Sequence, residues 1–305
     1  MLATDAALTL ATDGYVVIPD FVRGPPLDAS IRAMDEYFPP PADAVSTIDE
    51  RLNHAIPFPF ASNELNRLVL DPTIIDIADQ LLEHADLRLT SSFIQAKYGT
   101  NYGQSRDQKL HNDAWSANSM LYPRTDGPYQ RLFGIIYLSD VTRGTAPTYI
   151  VGRASALGVP LITSAKQATY NEEEFPDLYT REHPIEAKKG SLLLFVGDVV
   201  HRGSAFSDED GRRLALFFNI HSTKAGWTDK HLWAMRPSSK EWRAFSQLIA
   251  ELQPSQRSIL GFPPPGDSYW NDETLEHAKQ MYPRIDLRPY AEGATVNSTL
   301  VVPNE

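Results

Sequence analysis

Residues 188–221, KKGSLLLFVGDVVHRGSAFSDEDGRRLALFFNIH, decide the fold. Two apolar runs, GSLLLFV (190–196) and RLALFFNIH (213–221), are bounded by Gly, Asp and Ser, the punctuation of short strands. A βαβ unit would place an amphipathic helix between them, and none is written there. The segment therefore predicts strands of a two-sheet antiparallel barrel rather than a doubly wound parallel sheet.

The same strand character extends outward. LRLTSSFIQAKYG (87–99), RLFGIIYLS (131–139) and PTYIV (147–151) are β-rich, and GYVVIPDFV (14–22) reads as an opening strand. Helical spacing appears over 28–38, 62–70 and 73–84, and again over 226–236, 239–252 and 270–281; the tail from 286 reads as irregular. Helices, then strands, then helices predict one domain over 1–305: mainly β, with a core at about 87–222 and flanking helices.

Composition narrows the chemistry. The 305 residues contain no cysteine, which excludes disulfide scaffolds, thiolate metal sites and cysteine nucleophiles. Any metal must be held by His, Asp or Glu. Asp and Glu number 39 against 28 Lys and Arg, a net charge of -11 that argues against nucleic acid and membrane partners. No apolar run approaches the roughly 18 residues of a membrane span. The opening MLATDAALTLATDGY has no basic start and carries Asp5 and Asp13, unlike a signal peptide. These features predict a cytoplasmic protein.

Three residues offer a metal site. On a strand, positions i and i+2 share a face, so His111-Asn112-Asp113 places an imidazole beside a carboxylate. His201, 90 positions on, follows an apolar strand and the Gly197-Asp198 turn. Two histidines and one carboxylate on one side of an octahedron leave the other side open, the arrangement of non-haem Fe(II) oxygenases. An oxygenase using 2-oxoglutarate also needs a cation for the distal carboxylate, and arginine's fork suits it. Arg212 and Arg213 open the strand after His201. If Arg213 faces inward, so do Ala215, Phe217, Asn219 and His221, leaving Leu214, Leu216, Phe218 and Ile220 to pack under helices. That pattern favours Arg213. Gln95 and Lys97, on one face of an earlier strand, are candidates to reach the co-substrate or its waters; a rim pair is the plain alternative.

HNDAW, IYLSDVTRGTAPTYIV, KKGSLLLFVGDVVHRGS and the GRRLALFF run, with DGYVVIPDFV near the start, together resemble the phytanoyl-CoA dioxygenase family of Fe(II)/2-oxoglutarate-dependent oxygenases. The resemblance covers roughly 13–222. It implies a double-stranded β-helix (jelly roll), Fe(II) on His111, Asp113 and His201, and 2-oxoglutarate opposite an arginine. It also implies conversion of 2-oxoglutarate and dioxygen to succinate and carbon dioxide, coupled to hydroxylation or other oxidation of a small organic molecule such as a secondary metabolite. In relatives the arginine sits about 11 residues past the distal histidine, which favours Arg212 and leaves the choice open. Relatives often read PGSH where this chain has VGRAS (151–155). Asp113, a carboxylate, implies a hydroxylase rather than a halogenase.

Two rivals stand beside this reading: a catalytically silent jelly-roll binding or sensor protein, and a cupin-like metal enzyme without 2-oxoglutarate. All four key positions are filled, which argues for activity. Trp115, Tyr122 and Tyr129 fit an aromatic-lined substrate pocket and ordinary core packing equally well. His221 reads as structural, and His54, His84, His183, His231 and His277 have no partnering pattern. The helices after 224 either cover the cavity or build a homodimer contact.

Overall fold

The computed structural model describes residues 3–41, 55–83, 87–103, 105–114, 121–122, 124, 129–165, 167–224, 246–247, 249–259 and 261–292. The helix expected over 226–236, much of that over 239–252, Trp115, His54, His84 and His231 lie outside the described residues. Two compact units emerge: Met1–Asp113 with Pro128–Thr163 and Ala168–Thr223, and Ala114–Gly127 with Ser164–Gln167 and Lys224–Glu305.

The first unit is built on two antiparallel sheets. One contains β1 (Tyr15–Ile18), β2 (Ile56–Pro57), β3 (Leu87–Tyr98), β5 (Arg131–Tyr137), β9 (Leu192–Val196) and β11 (Arg212–Ser222), in the order β1-β9-β5-β11-β3-β2. The other contains β4 (Leu110–His111), β6 (Thr148–Val151), β7 (Thr169–Tyr170), β8 (His183–Pro184) and β10 (Val200–Gly203), in the order β7-β4-β10-β6-β8. The predicted long runs are strands within two residues at each end, except the opening run 14–22, where β1 stops at Ile18 before Pro19. Four of the elements that sequence reading missed, β2, β4, β7 and β8, are two residues long, too short to carry a period-2 signal. This mainly antiparallel, helix-flanked architecture is that of a double-stranded β-helix.

Alternation along β11 separates two environments. Leu214, Leu216, Phe218 and Ile220 are buried in the main core with Ile94 and Ala96 of β3 and Leu192, Leu194 and Val196 of β9. Helices supply the rest of that core. α1 (Ala3–Asp13) contributes Ala6 and Leu10, a pair one turn apart, and α4 (Pro72–Leu81) contributes Ile74, Ile77 and Ala78. α2 (Pro25–Tyr37) starts before the expected residue 28, because Pro25 and Pro26 occupy first-turn positions where a missing N–H costs nothing. α3 (Asn63–Val69) is capped by Ser62, and α4 by Asp71, whose carboxylate accepts from the Thr73 N–H at 2.8 Å. A short α5 (Pro176–Arg181) joins β7 to β8.

The second unit contains α6 (Pro254–Ile259), α7 (Asp272–Met281) and α8 (Arg288–Ala291). α7 begins at a reciprocal capping box between Asn271 and Thr274. α8 falls in the tail read as irregular; four residues cannot display a helical period. Trp270, Tyr269, Tyr282, Tyr290 and Phe262 are almost wholly buried in this unit. Among the described residues no helix is long and apolar enough to cross a membrane.

Candidate metal centre

His111 on β4 and His201 on β10 are direct cross-strand partners. Residues opposite one another in an antiparallel pair present side chains to the same face, and the two rings lie 4.5 Å apart. Asp113, two residues beyond His111, donates its backbone N–H to the Gly197 carbonyl at 2.8 Å, which brings it beside His201. The His201 Nε2 to Asp113 Oδ2 distance is 3.6 Å. Ligand atoms of all three residues lie within 4.8 Å of one another. The intervening Asn112 points the other way, its amide donating to the Leu161 carbonyl at 2.7 Å and the Tyr170 hydroxyl at 2.8 Å. Its role as an anchor went unread, although alternation alone puts it on the opposite face.

Both imidazoles are held by their far nitrogens. His111 Nδ1 lies 2.8 Å from the Lys109 carbonyl and His201 Nδ1 lies 3.0 Å from the Val199 carbonyl. A carbonyl can only accept, so each Nδ1 carries its proton and each Nε2 keeps a lone pair for an ion. Burial pushes His201 down to about 4; His111 adds to that depression and Asp113 opposes it. The ring is therefore neutral near pH 7, the form a metal requires. Two nitrogen donors and one carboxylate fit a divalent first-row ion such as Fe(II).

The wall beside this cluster comes from the facing sheet. Phe195 of β9 packs on His201 at 4.6 Å and stacks on Phe133 of β5. Phe133 pairs with Asn219 of β11, so Asn219, Phe217, Ala215 and Arg213 share this inner face. Arg213 is only 2% exposed, donates to the Ala146 carbonyl at 2.6 Å, and leaves its Nε without a partner. Burial holds its pKa below the usual arginine range. Lys97, its cross-strand neighbour on β3, is pushed down to about 8 by burial first and by Arg213 second; its Nζ donates to the Ser204 carbonyl at 2.6 Å. Gln95 pairs with Ala215 and so belongs to the same face. Arg212 turns outward, where it bonds Asp35 and the Phe38 carbonyl beside α2.

Some aromatic expectations resolve differently. The Tyr129 hydroxyl donates to the Ala11 carbonyl at 3.2 Å and meets Arg153, so this ring ties α1 to the barrel. Tyr122 is buried in the second unit against His277. His221 bonds Thr90 at 2.7 Å and His183 bonds Tyr15 at 2.9 Å.

The family model described as phytanoyl-CoA dioxygenase (PhyH) matches residues 10–214. Among solved structures, HygX from Streptomyces hygroscopicus with nickel and 2-oxoglutarate bound is similar at TM-score 0.51 and 15% identity, covering 73% of this chain and 88% of that one. EctD from S. alaskensis in its apo form is similar at TM-score 0.55 and 17% identity, covering 75% and 82%. The epimerase SnoN, in complex with Fe3+, alpha-ketoglutarate and nogalamycin RO, is similar at TM-score 0.53 and 19% identity, covering 73% and 84%. Identities this low establish the shared fold. No curated protein sequence matches the chain.

Proposed function

The chain belongs to the phytanoyl-CoA dioxygenase family, and from that premise we propose that it is an Fe(II)/2-oxoglutarate-dependent dioxygenase that hydroxylates or otherwise oxidises a small organic molecule. The observation that carries this reading is the convergence of His111, Asp113 and His201, with both histidines held by Nδ1 so that their Nε2 atoms are free for one ion.

In this reading His111, Asp113 and His201 hold Fe(II), and Arg213 holds the distal carboxylate of 2-oxoglutarate. Its burial favours it over Arg212, which is engaged by Asp35. Lys97 adds a second positive charge on that side, and Gln95 is a further candidate contact. Fe(II), when bound, supplies the activation of dioxygen that couples conversion of 2-oxoglutarate to succinate and carbon dioxide with oxidation of the substrate. The protein's own work is orientation: Phe195, stacked on Phe133, packs against the His201 ring and gives that side of the cluster an apolar wall. The small molecules held by SnoN and by EctD, which has been crystallised with 5-hydroxyectoine, support a small organic substrate here. A cytoplasmic setting agrees with the acidic surface.

Oxygen-dependent succinate formation, measured with Fe(II) and a library of candidate substrates, tests the proposal. Succinate that tracks Fe(II), dioxygen and one substrate class supports it. Metal-dependent turnover without 2-oxoglutarate consumption would replace it with the cupin-like alternative.

A further inference from the structure

The turn Gly197-Asp198-Val199 touches both metal-ligand segments at once. The Gly197 carbonyl accepts the Asp113 N–H, and the Val199 carbonyl accepts from His201 Nδ1. Between these two carbonyls, the Asp198 carboxylate is gripped by Arg153. Arg153 is itself anchored: it donates to the Ala11 carbonyl at 3.0 Å, bonds the Tyr129 hydroxyl, and lies 4.7 Å over the Tyr129 ring. Gly14 completes the packing, since a Cβ there would meet Val199 Cγ2 at 2.4 Å and Arg153 Cγ at 3.0 Å. A rigid path thus runs from the end of α1 through Arg153 and Asp198 to the two carbonyls that orient Asp113 and His201.

We propose that Arg153 is a positioning residue for the metal centre, fixing the 197–199 turn through Asp198. The inference rests on the metal-binding reading above. It concerns the VGRAS stretch, where this chain departs from the PGSH often found in relatives, and gives that departure a function. An exposed ion pair would contribute little, but this one has about three-quarters of the arginine and two-thirds of the aspartate side chain withdrawn from water. A small displacement of the turn would misdirect two of three ligands together, and partners that orient ligands typically matter about 10–100-fold in metal affinity.

The test is an anaerobic Co(II) titration of the full chain, followed by visible d–d absorption, with melting of the metal-free protein in parallel. Arg153→Met and Asp198→Asn should each raise the Co(II) Kd by about 10–100-fold and alter the d–d spectrum. The double variant should be no worse than either single, and Arg153→Lys should recover part of the affinity. Should Arg153→Met fail to fold, the isosteric Asp198→Asn carries the test. Wild-type affinity and spectrum in the single variants, whatever their melting temperatures, would reduce Arg153 to a structural tie. Wild-type protein that takes up no Co(II) would instead overturn the metal-centre reading, and this proposal with it.

Discussion

His111 and His201 stand directly opposite one another across the β4–β10 pair, their ring centres 4.5 Å apart. Strand pairing, rather than a loop, therefore sets the spacing of the two imidazoles. Replacing His111, His201 or Asp113 by alanine should each abolish stoichiometric Fe(II) binding, measured by anaerobic equilibrium dialysis. A variant that keeps full metal content would remove its residue from the ligand set.

The two adjacent arginines should separate cleanly. Charge-assisted hydrogen bonds are worth about 1.5–3 kcal/mol, so Arg213→Ala should raise the 2-oxoglutarate KM by roughly 10–100-fold. Arg212→Ala should leave that KM unchanged and lower stability by about 1–3 kcal/mol, because the pair with Asp35 is largely withdrawn from water and the Phe38 carbonyl also loses its donor. Steady-state succinate assays and denaturant melts decide, and a reversed pattern would exchange the two assignments.

Lys97 should make 2-oxoglutarate affinity depend on alkaline pH. Burial and Arg213 hold it at about 8 in the free protein. A bound anion nearby would raise that value. Below pH 8 the lysine is charged with or without co-substrate, so affinity is flat. Above pH 8 binding must take up a proton, so affinity should fall by at most about tenfold per pH unit until the bound pKa is passed. Lys97→Met should flatten the profile; a Kd independent of pH in the wild type places the anion elsewhere.

Gly14→Ala should be strongly destabilising. The backbone φ of +84° disfavours any side chain, and the new Cβ would run into Val199. Strain of this kind costs about 1–3 kcal/mol, which lowers Tm by several degrees in a domain of this size. An unchanged calorimetric Tm would mean the opening strand shifts freely away from the metal-centre turn.

Much of the fold was legible because period-2 alternation is local. The apolar set Leu214, Leu216, Phe218 and Ile220 announces a covered face, and the absence of an intervening helix announces antiparallel pairing. The grouping of the three candidate ligands was legible in part for a related reason, since His111 and Asp113 are two apart, but singling out His201 leaned on the family resemblance of its surrounding segment. Other features left no trace. The two-residue strands are too short for a pattern, and α2 began on prolines that read as a loop.

The sequence by itself determined where the long strands lie, the cysteine-free donor set and the presence of an arginine pair at the head of β11. Only the tertiary structure decided which arginine faces inward. That choice rests on Asp35 and the Phe38 carbonyl capturing Arg212 from about 175 residues away, while the Ala146 carbonyl receives Arg213. Such partners meet only when the sheets close, since short-range patterning fixes which residues share a face but not what that face will meet.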